Sequence, residues 1–447
     1  MTPLNASSIF GPDVWWITLI KVLGVFMLQL LWCLFNVWFM RRILGKMQNR
    51  KGPIMNTAFI NGMGQAIGDG MKLLFKETFI PKDTDKVVFS LAPVIAGICA
   101  FAPWAVIPLA GEVNMFGHTT RLQVTDMPVA VLFTLATGSL AVYGLVFAGW
   151  SSDNSYSLLG GLRASAQMIS YEVAMGLSLV SVFILSGTMS TSQIVEAQAQ
   201  HWNFFGAEIP VPSWYAVALF PAFCIYFISI LAESNTPPFD LSECEQELVS
   251  GYSTEYTGFQ YGTYYLAEFI HMATLSALAV TLFFGGYRAP FPFNMIEGID
   301  QGWWGLLWFF LKTQVMIFCL IWCRGSLPRF RYDQFMGIGW KRLIPISLLW
   351  IVCVTLMRAT TGATGTARTV LALMMGAVAL ALIAWLFLGG KAEEEVEQID
   401  DEFDAFAGGY PVPPLPGQEV PGTTRVVSAQ RVAVDDDLDP IKNGVDA

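Results

Sequence analysis

Charge is what this sequence has least of. Asp, Glu, Lys and Arg make up 13% of 447 residues, about half the share expected of a soluble protein. That deficit excludes the two or three soluble domains that length alone would suggest. Histidine is scarce, with three copies, and the seven cysteines are scattered, five of them (Cys33, Cys99, Cys224, Cys319 and Cys353) within apolar runs. A disulfide framework is thereby excluded. Cys319 and Cys323 lie four apart on one helix face, but an Fe–S cluster needs four thiolates, so neither a bound metal nor a cluster is expected. Gly62-Met-Gly64-Gln-Ala-Ile-Gly68 approaches a dinucleotide fingerprint, yet its third glycine comes one place late and no strand precedes it. Neither nucleotide binding by this chain nor a nucleic-acid partner is expected.

What is abundant is apolar sequence in long runs, 54% of the chain being hydrophobic. A helix needs roughly 20 apolar residues to cross the hydrocarbon core, where every backbone polar group must be satisfied internally. Nine runs approach or exceed this length: Val14 to Met40, Val87 to Ala110, Met127 to Trp150, Ala164 to Leu185, Trp214 to Ala232, Tyr261 to Phe284, Trp303 to Cys323, the shorter Leu343 to Met357, and Thr369 to Gly390. The fold class is therefore all-α, a polytopic membrane protein with about nine transmembrane helices over residues 1–390. No basic residue precedes the first run and no small-residue cleavage site interrupts it, so it should be retained and not removed as a signal peptide. With the N-terminus outside, one set of loops carries fifteen Lys and Arg, and the other carries only Arg121, Arg288, Arg358 and Arg368. The positive-inside rule then places the C-terminus in the cytoplasm of a cell whose plasma membrane holds the chain. The formal charge of −10 resides in residues 391–447, with fourteen acids and four bases. This acidic tail has too little apolar content to fold and is expected to be disordered.

The loop from Arg41 to Lys86 is too long for a plain connector. Its second half, Gln65 to Glu77, sets Ile67, Met71, Leu74 and Phe75 at helical spacing, which predicts an amphipathic helix lying at the interface. Ionisable residues inside the apolar runs are costly and mark function by default. They are Lys21, Glu172, Glu268, His271 and Lys312, with Glu233 at a run's end. Lys21 is expected to snorkel to the outer interface, and Lys312, in mid-run, to need a buried partner. The three carboxylates are proton-exchange candidates, since loss of water disfavours the charged form of a carboxylate held at membrane depth; a neutral, hydrogen-bonded structural role is the alternative. Glu268 and His271 have the Glu-x-x-His spacing of di-iron helices, but no second copy occurs, so lining of a polar cavity is the better reading. From Ala164 to Tyr287 there is no Lys or Arg, while ten acids occur, six of them between Glu233 and Glu255. Asp240 and Glu243 also fit capping boxes. The other acids need cations from elsewhere, and the loop with Arg324, Arg329 and Arg331 is the favoured source.

These segments carry a family resemblance over most of residues 14–390. Arg41-Arg-Ile-Leu-Gly-Lys-Met-Gln48, Asp69-Gly-Met-Lys-Leu-Leu-Phe-Lys-Glu77, Gly161-Leu-Arg-Ala-Ser-Ala-Gln-Met-Ile-Ser-Tyr-Glu172, Pro238-Phe-Asp-Leu241, Glu247-Leu-Val249, Thr254-Glu-Tyr256 and Arg331-Tyr-Asp-Gln334 resemble the H-subunit (ND1) family of proton-pumping NADH:quinone oxidoreductase, respiratory complex I. The segment Gly160 to Gln193 and the acidic tail most resemble actinobacterial members. The resemblance implies a subunit that forms much of a quinone tunnel and carries no redox centre. It would join membrane-arm subunits to the peripheral Fe–S and quinone-site subunits that take electrons from NADH. The quinone would be ubiquinone or menaquinone, with menaquinone expected. It also implies that Glu172, Glu233, Glu243, Glu245, Glu247 and Glu268 belong to the proton path and funnel. Arg41, Asp69, Lys72, Glu77, Phe239 and Asp240 would lie near the quinone tunnel. The chain departs from the family pattern at Met40, where a Glu usually precedes the Arg pair. It departs again at Gly52 to Ala58 and at Asn235-Thr-Pro-Pro-Phe-Asp240, each of which loses an Arg. A membrane anchor for a related hydrogenase or dehydrogenase module, and an independent proton-coupled transporter, remain open; no internal repeat supports the latter.

Overall fold

The computed structural model describes residues 14–54, 62–199, 201–204, 207–240, 249–291, 293–295, 298 and 302–362. Its main helices are α1 (Trp15–Met47), α2 (Gly64–Phe75), α3 (Lys86–Phe101), α4 (Ala130–Ser151), α5 (Ser155–Ser186), α6 (Thr191–Ala197), α7 (Phe220–Glu233), α8 (Gly258–Phe283), α9 (Trp304–Ser326), α10 (Tyr332–Gly337) and α11 (Ile344–Gly362). A π-helical turn at Ile338–Leu343 joins α10 and α11 into one span. Two antiparallel hairpins, β1 (Ala110–Met115) with β2 (His118–Leu122) and β3 (His201–Phe204) with β4 (Ala207–Pro212), were not foreseen from the sequence.

Among the described residues, seven helices are long and apolar enough to cross a membrane, and α7 is a shorter apolar helix. Eight of the nine runs thus contain a helix, while Thr369 to Gly390 and the tail 391–447 lie outside the described residues. The run Val87 to Ala110 contains one span, Lys86–Ala105, which ends sooner than the run does: α3 passes into a 3-10 turn at Ala102–Ala105 and the chain enters β1 at Ala110. Polar caps mark the starts of α3 and α5. Asp85 accepts from the Val87 and Val88 amides at 3.1 and 3.5 Å, and Asn154 from Tyr156 at 3.0 Å.

The bundle is assembled around α8, the most deeply enclosed span, which packs on α1, α2, α3 and α9. α4 lies between α3 and α5, and α5 meets both α7 and α11. Glycines permit the closest crossings. A Cβ added at Gly149 would sit 3.2 Å from the Gly161 Cα, and one at Gly160 only 2.5 Å from the Gly251 Cα. From Met272 to Phe283 every side chain of α8 is buried, and its hydroxyls bond back into the helix: Thr274 to Ile270, Ser276 to Met272 and Thr281 to Ala277.

Two expectations about basic residues resolve differently. Lys21 does not snorkel outward: it is buried, 6% exposed, in the protein interior. Lys312 has buried partners, and three of them are backbone carbonyls. Its Nζ donates to the carbonyls of Phe284, Gly286 and Arg288 at 2.6, 3.1 and 2.6 Å and lies 5.0 Å from the Trp214 ring centre. Gln198 bonds the Thr281 and Leu282 carbonyls at 3.1 Å each, so the two side chains together satisfy the end of α8. The amphipathic helix is present as α2. Ile67, Met71 and Leu74 face outward while Ala66 is buried against the bundle.

Candidate functional site

Two carboxylates from different helices meet at one glycine of α4, and a histidine from a third helix touches one of them. Glu172 projects from α5, Glu233 is the last residue of α7, and His271 lies in mid α8. A Cβ built on Gly138 would stand 3.6 Å from Glu233 Oε1 and 4.0 Å from Glu172 Oε1. The absent side chain leaves the space between the two carboxylates open. Glu172 accepts a hydrogen bond from the Ser139 hydroxyl, and Glu233 Oε1 is 3.2 Å from His271 Nε2. Glu233 is only 3% exposed, and its second oxygen has no partner among the described residues. A buried carboxylate oxygen left this way calls for a proton or a water.

Local packing holds these groups in place. Gln167, one turn before Glu172 on α5, donates to the Ala232 and Phe239 carbonyls at 2.6 and 2.8 Å and to Asn235 Oδ1 at 3.2 Å. That amide fixes the end of α7, and hence Glu233, to α5. The neighbours of Glu172 are tied to the last span. The Ser170 hydroxyl accepts from Trp340 Nε1 at 3.0 Å, and the Tyr171 hydroxyl donates to the Phe335 carbonyl at 2.9 Å. The π-helical turn beginning just after Phe335 departs from regular α-helical pairing there.

Beside Glu233 a cavity of about 50 Å³ is lined by Glu233, His271, Glu268, Tyr264, Ser234 and Asn235 together with apolar side chains that include Leu145 and Met168. At roughly 10–15 Å³ of such volume per molecule it has room for a few waters. One turn from Glu268 lies Tyr265, on which the charges of Glu268 and Arg41 both act. Arg41 is ion-paired with Asp69, which Gln65 also reaches at 2.9 Å. The charged pair of the first loop thus stands near the segment of α8 that carries Glu268. Arg324 also contributes here, with Nη1 3.3 Å from the sulfur of Met40, the residue standing where the family pattern has a Glu.

The other sequence candidates fall elsewhere. Lys72 and Glu77 are exposed, and among the described residues neither forms an ion pair, so they do not join Asp69. Phe239 is 4% exposed inside an aromatic cluster with Tyr171, Phe330 and Phe335, a packing position. Asp240 pairs with Arg329 at 3.2 Å, and the same guanidinium bonds its carbonyl. One of the three arginines expected to neutralise the acidic loop does so at that loop's start. Glu243, Glu245 and Glu247 lie outside the described residues. Glu255 accepts from Asn154 at 2.8 Å, and Glu196 pairs with Arg121 at 3.1 Å. Among the described residues no three His, Cys, Asp or Glu side chains are grouped to hold a metal ion. Gly138, Ser139, Gln167 and Tyr265 were missed. Small and hydroxylated residues in an apolar helix carry no signal of their own; only their neighbours give them a role.

Comparison with known proteins finds relatives of the chain as a whole. The family model for NADH dehydrogenase matches residues 20–355. A Cutibacterium acnes protein, named as the H component of an NADH-quinone oxidoreductase, is 59% identical over 419 residues, 94% of each chain. A Streptomyces avermitilis protein of the same name is 43% identical over 438 residues, 95% of this chain and 93% of that one.

Proposed function

We propose that this chain, which belongs to the NADH dehydrogenase family, is the membrane subunit that couples quinone reduction to proton movement in a complex I-type NADH:quinone oxidoreductase. Partner subunits deliver electrons from NADH to the quinone, with menaquinone the expected form, and further membrane subunits carry the proton work. The chain sits in the plasma membrane, N-terminus outside. Its acidic tail is a solvated appendage. The observation that carries the reading is the meeting of Glu172 and Glu233 at Gly138, above a cavity that reaches Glu268.

The geometry supports a specific division of labour. Arg41, Asp69 and Tyr265 form the charged entry near the first loop, where reduction of a quinone would draw protons. Glu268 and the cavity pass the change inward, and His271 with Glu233 receives it, since the two share one short contact and either can hold a proton. Two carboxylates beside one glycine repel when both are charged, so a proton on one favours release from the other.

The test is Glu233→Gln in the assembled enzyme, which keeps the shape and removes the exchangeable proton. NADH:quinone turnover and proton uptake are measured together in inverted membrane vesicles. Assembly should be retained while coupled turnover falls; full activity with full proton yield would remove Glu233 from the path.

A further inference from the structure

The last span meets α5 on the side away from the carboxylates. Ser170 and Glu172 stand two places apart on α5, which turns their side chains about 200° from one another. Glu172 therefore reaches Ser139 of α4 while Ser170 faces the π-helical turn at Ile338–Leu343. Consecutive residues on both sides make the contact with that turn. A Cβ built on Gly339 would stand 3.3 Å from the Tyr171 ring, so glycine lets the ring lie close, and Trp340 Nε1 donates to the Ser170 hydroxyl at 3.0 Å. Ser170 in turn donates to the Ala166 carbonyl of its own helix at 2.6 Å, so its hydroxyl is used in both directions. Trp340 is 54% exposed and Ser170 only 3%: an indole whose ring stands mostly outside directs its N–H to a hydroxyl inside. Neighbours on a regular helix point about 100° apart, and π turns, which widen the ladder by one residue, recur where side chains are re-aimed at functional sites.

We infer that Trp340 is a positioning residue for Glu172: through Ser170 it fixes the rotation of α5 about its own axis and so keeps Glu172 aimed at Gly138. The inference rests on the proton-exchange role proposed above for Glu172. Apolar packing is non-directional and resists a small helix rotation weakly, whereas a hydrogen bond weakens steeply once its donor is misaligned. Near Glu172, α5 is tied toward α4 by the bond from Ser139, and toward the last span by the bond from Trp340 to Ser170 and by that from Tyr171 to the Phe335 carbonyl. Phe335 precedes the π turn, so it is Trp340 that grips α5 from the turn itself. A side-chain end stands about 5–6 Å from its helix axis, where a rotation of about 10° moves it by about 1 Å. That displacement is enough to slow a transfer step that depends on geometry.

The experiment measures NADH:quinone turnover against quinone concentration in inverted vesicles that hold the complete complex. Three variants are compared: Trp340→Phe, which keeps a ring and loses the donor, Ser170→Ala, which keeps the helix and loses the acceptor, and the two together. In each single variant kcat should fall about two- to tenfold, the range that one neutral hydrogen bond spans, with KM for quinone and the amount of intact complex unchanged. The double variant should fall no further than the singles, and Trp340→Phe should not change the residual turnover of a Glu172→Gln enzyme. Wild-type kcat in either single variant, losses that multiply in the double, a rise in KM that accounts for the whole loss, or a full Trp340→Phe effect in the Glu172→Gln background overturns the inference. Should Trp340→Phe fail to assemble, Ser170→Ala carries the test through its own kcat and its silence in the Glu172→Gln background. The two readings fail separately: a Glu172→Gln enzyme with wild-type turnover removes the role of the carboxylate, while a slow Glu172→Gln enzyme beside an unaffected Trp340→Phe enzyme removes the positioning alone.

Discussion

Gly138→Ala separates fold from function at the carboxylate cluster. The added methyl would lie 3.6 Å from Glu233 Oε1 and 4.0 Å from Glu172 Oε1, ordinary contact distances, so the variant should fold. Removing a mid-helix glycine should raise stability by about 0.5–1 kcal/mol. The methyl also takes the space through which a water would join the two carboxylates. Losing one hydrogen bond to a charged group costs about 1.5–3 kcal/mol, which corresponds to roughly a ten- to hundredfold fall in proton-transfer rate. The assay is NADH-driven proton uptake in inverted vesicles, paired with the thermal midpoint of the purified complex. Gly176→Ala on α5, where a Cβ meets nothing within 4 Å, is the control and should leave uptake unchanged. A Gly138→Ala complex with a raised midpoint and wild-type proton uptake would refute transfer across this gap.

Three further outcomes follow. Glu268→Gln should slow coupled turnover with assembly retained, read by the amount of intact complex on a native gel; unchanged turnover would remove Glu268 from the route. Gly160→Ala should destabilise the chain by about 1–3 kcal/mol, because its Cβ would stand 2.5 Å from backbone at Gly251 and neither segment can yield a flexible tip; a thermal midpoint equal to wild type would contradict the packing. Lys312→Met should cost roughly 3–5 kcal/mol, since three buried carbonyls lose a charged donor. Its effect should be on the yield of folded protein and not on the proton-to-electron ratio, which a vesicle assay on surviving complex would check.

The spans and the buried carboxylates were legible because lipid punishes their alternatives. A run without charge has little choice but a helix, and Glu172, Glu233 and His271 stood out as the expensive residues within such runs. Their mutual arrangement was not legible, since it depends on which helices cross at Gly138, and a glycine in an apolar segment looks the same wherever it packs. The sign imbalance after Ala164 pointed correctly to Arg329 for Asp240, because an acidic stretch without local cations must borrow one. Lys312 shows the limit of the same argument. Its cost was visible, but the sequence has no mark for carbonyls freed at a helix end, and those are its partners. Lys21 erred in the other direction: nearness to the end of a run suggested snorkelling, while tertiary packing enclosed it.

The enclosed stretch of α8 beyond His271 has an electrical consequence. With every side chain from Met272 to Phe283 buried and the hydroxyls turned into their own helix, that flank offers little to reorient around a charge. Where the effective dielectric is nearer 4–20 than 80, a unit charge acts several times more strongly at a given distance. If Glu233 exchanges protons as proposed above, each proton gained or lost there would become a field imposed on α4, α5 and α7 together. The cluster would then behave like the plate of a small capacitor, charged from the cavity side and insulated on the other, and work passed to partner subunits would need no particle to pass through this stretch of α8.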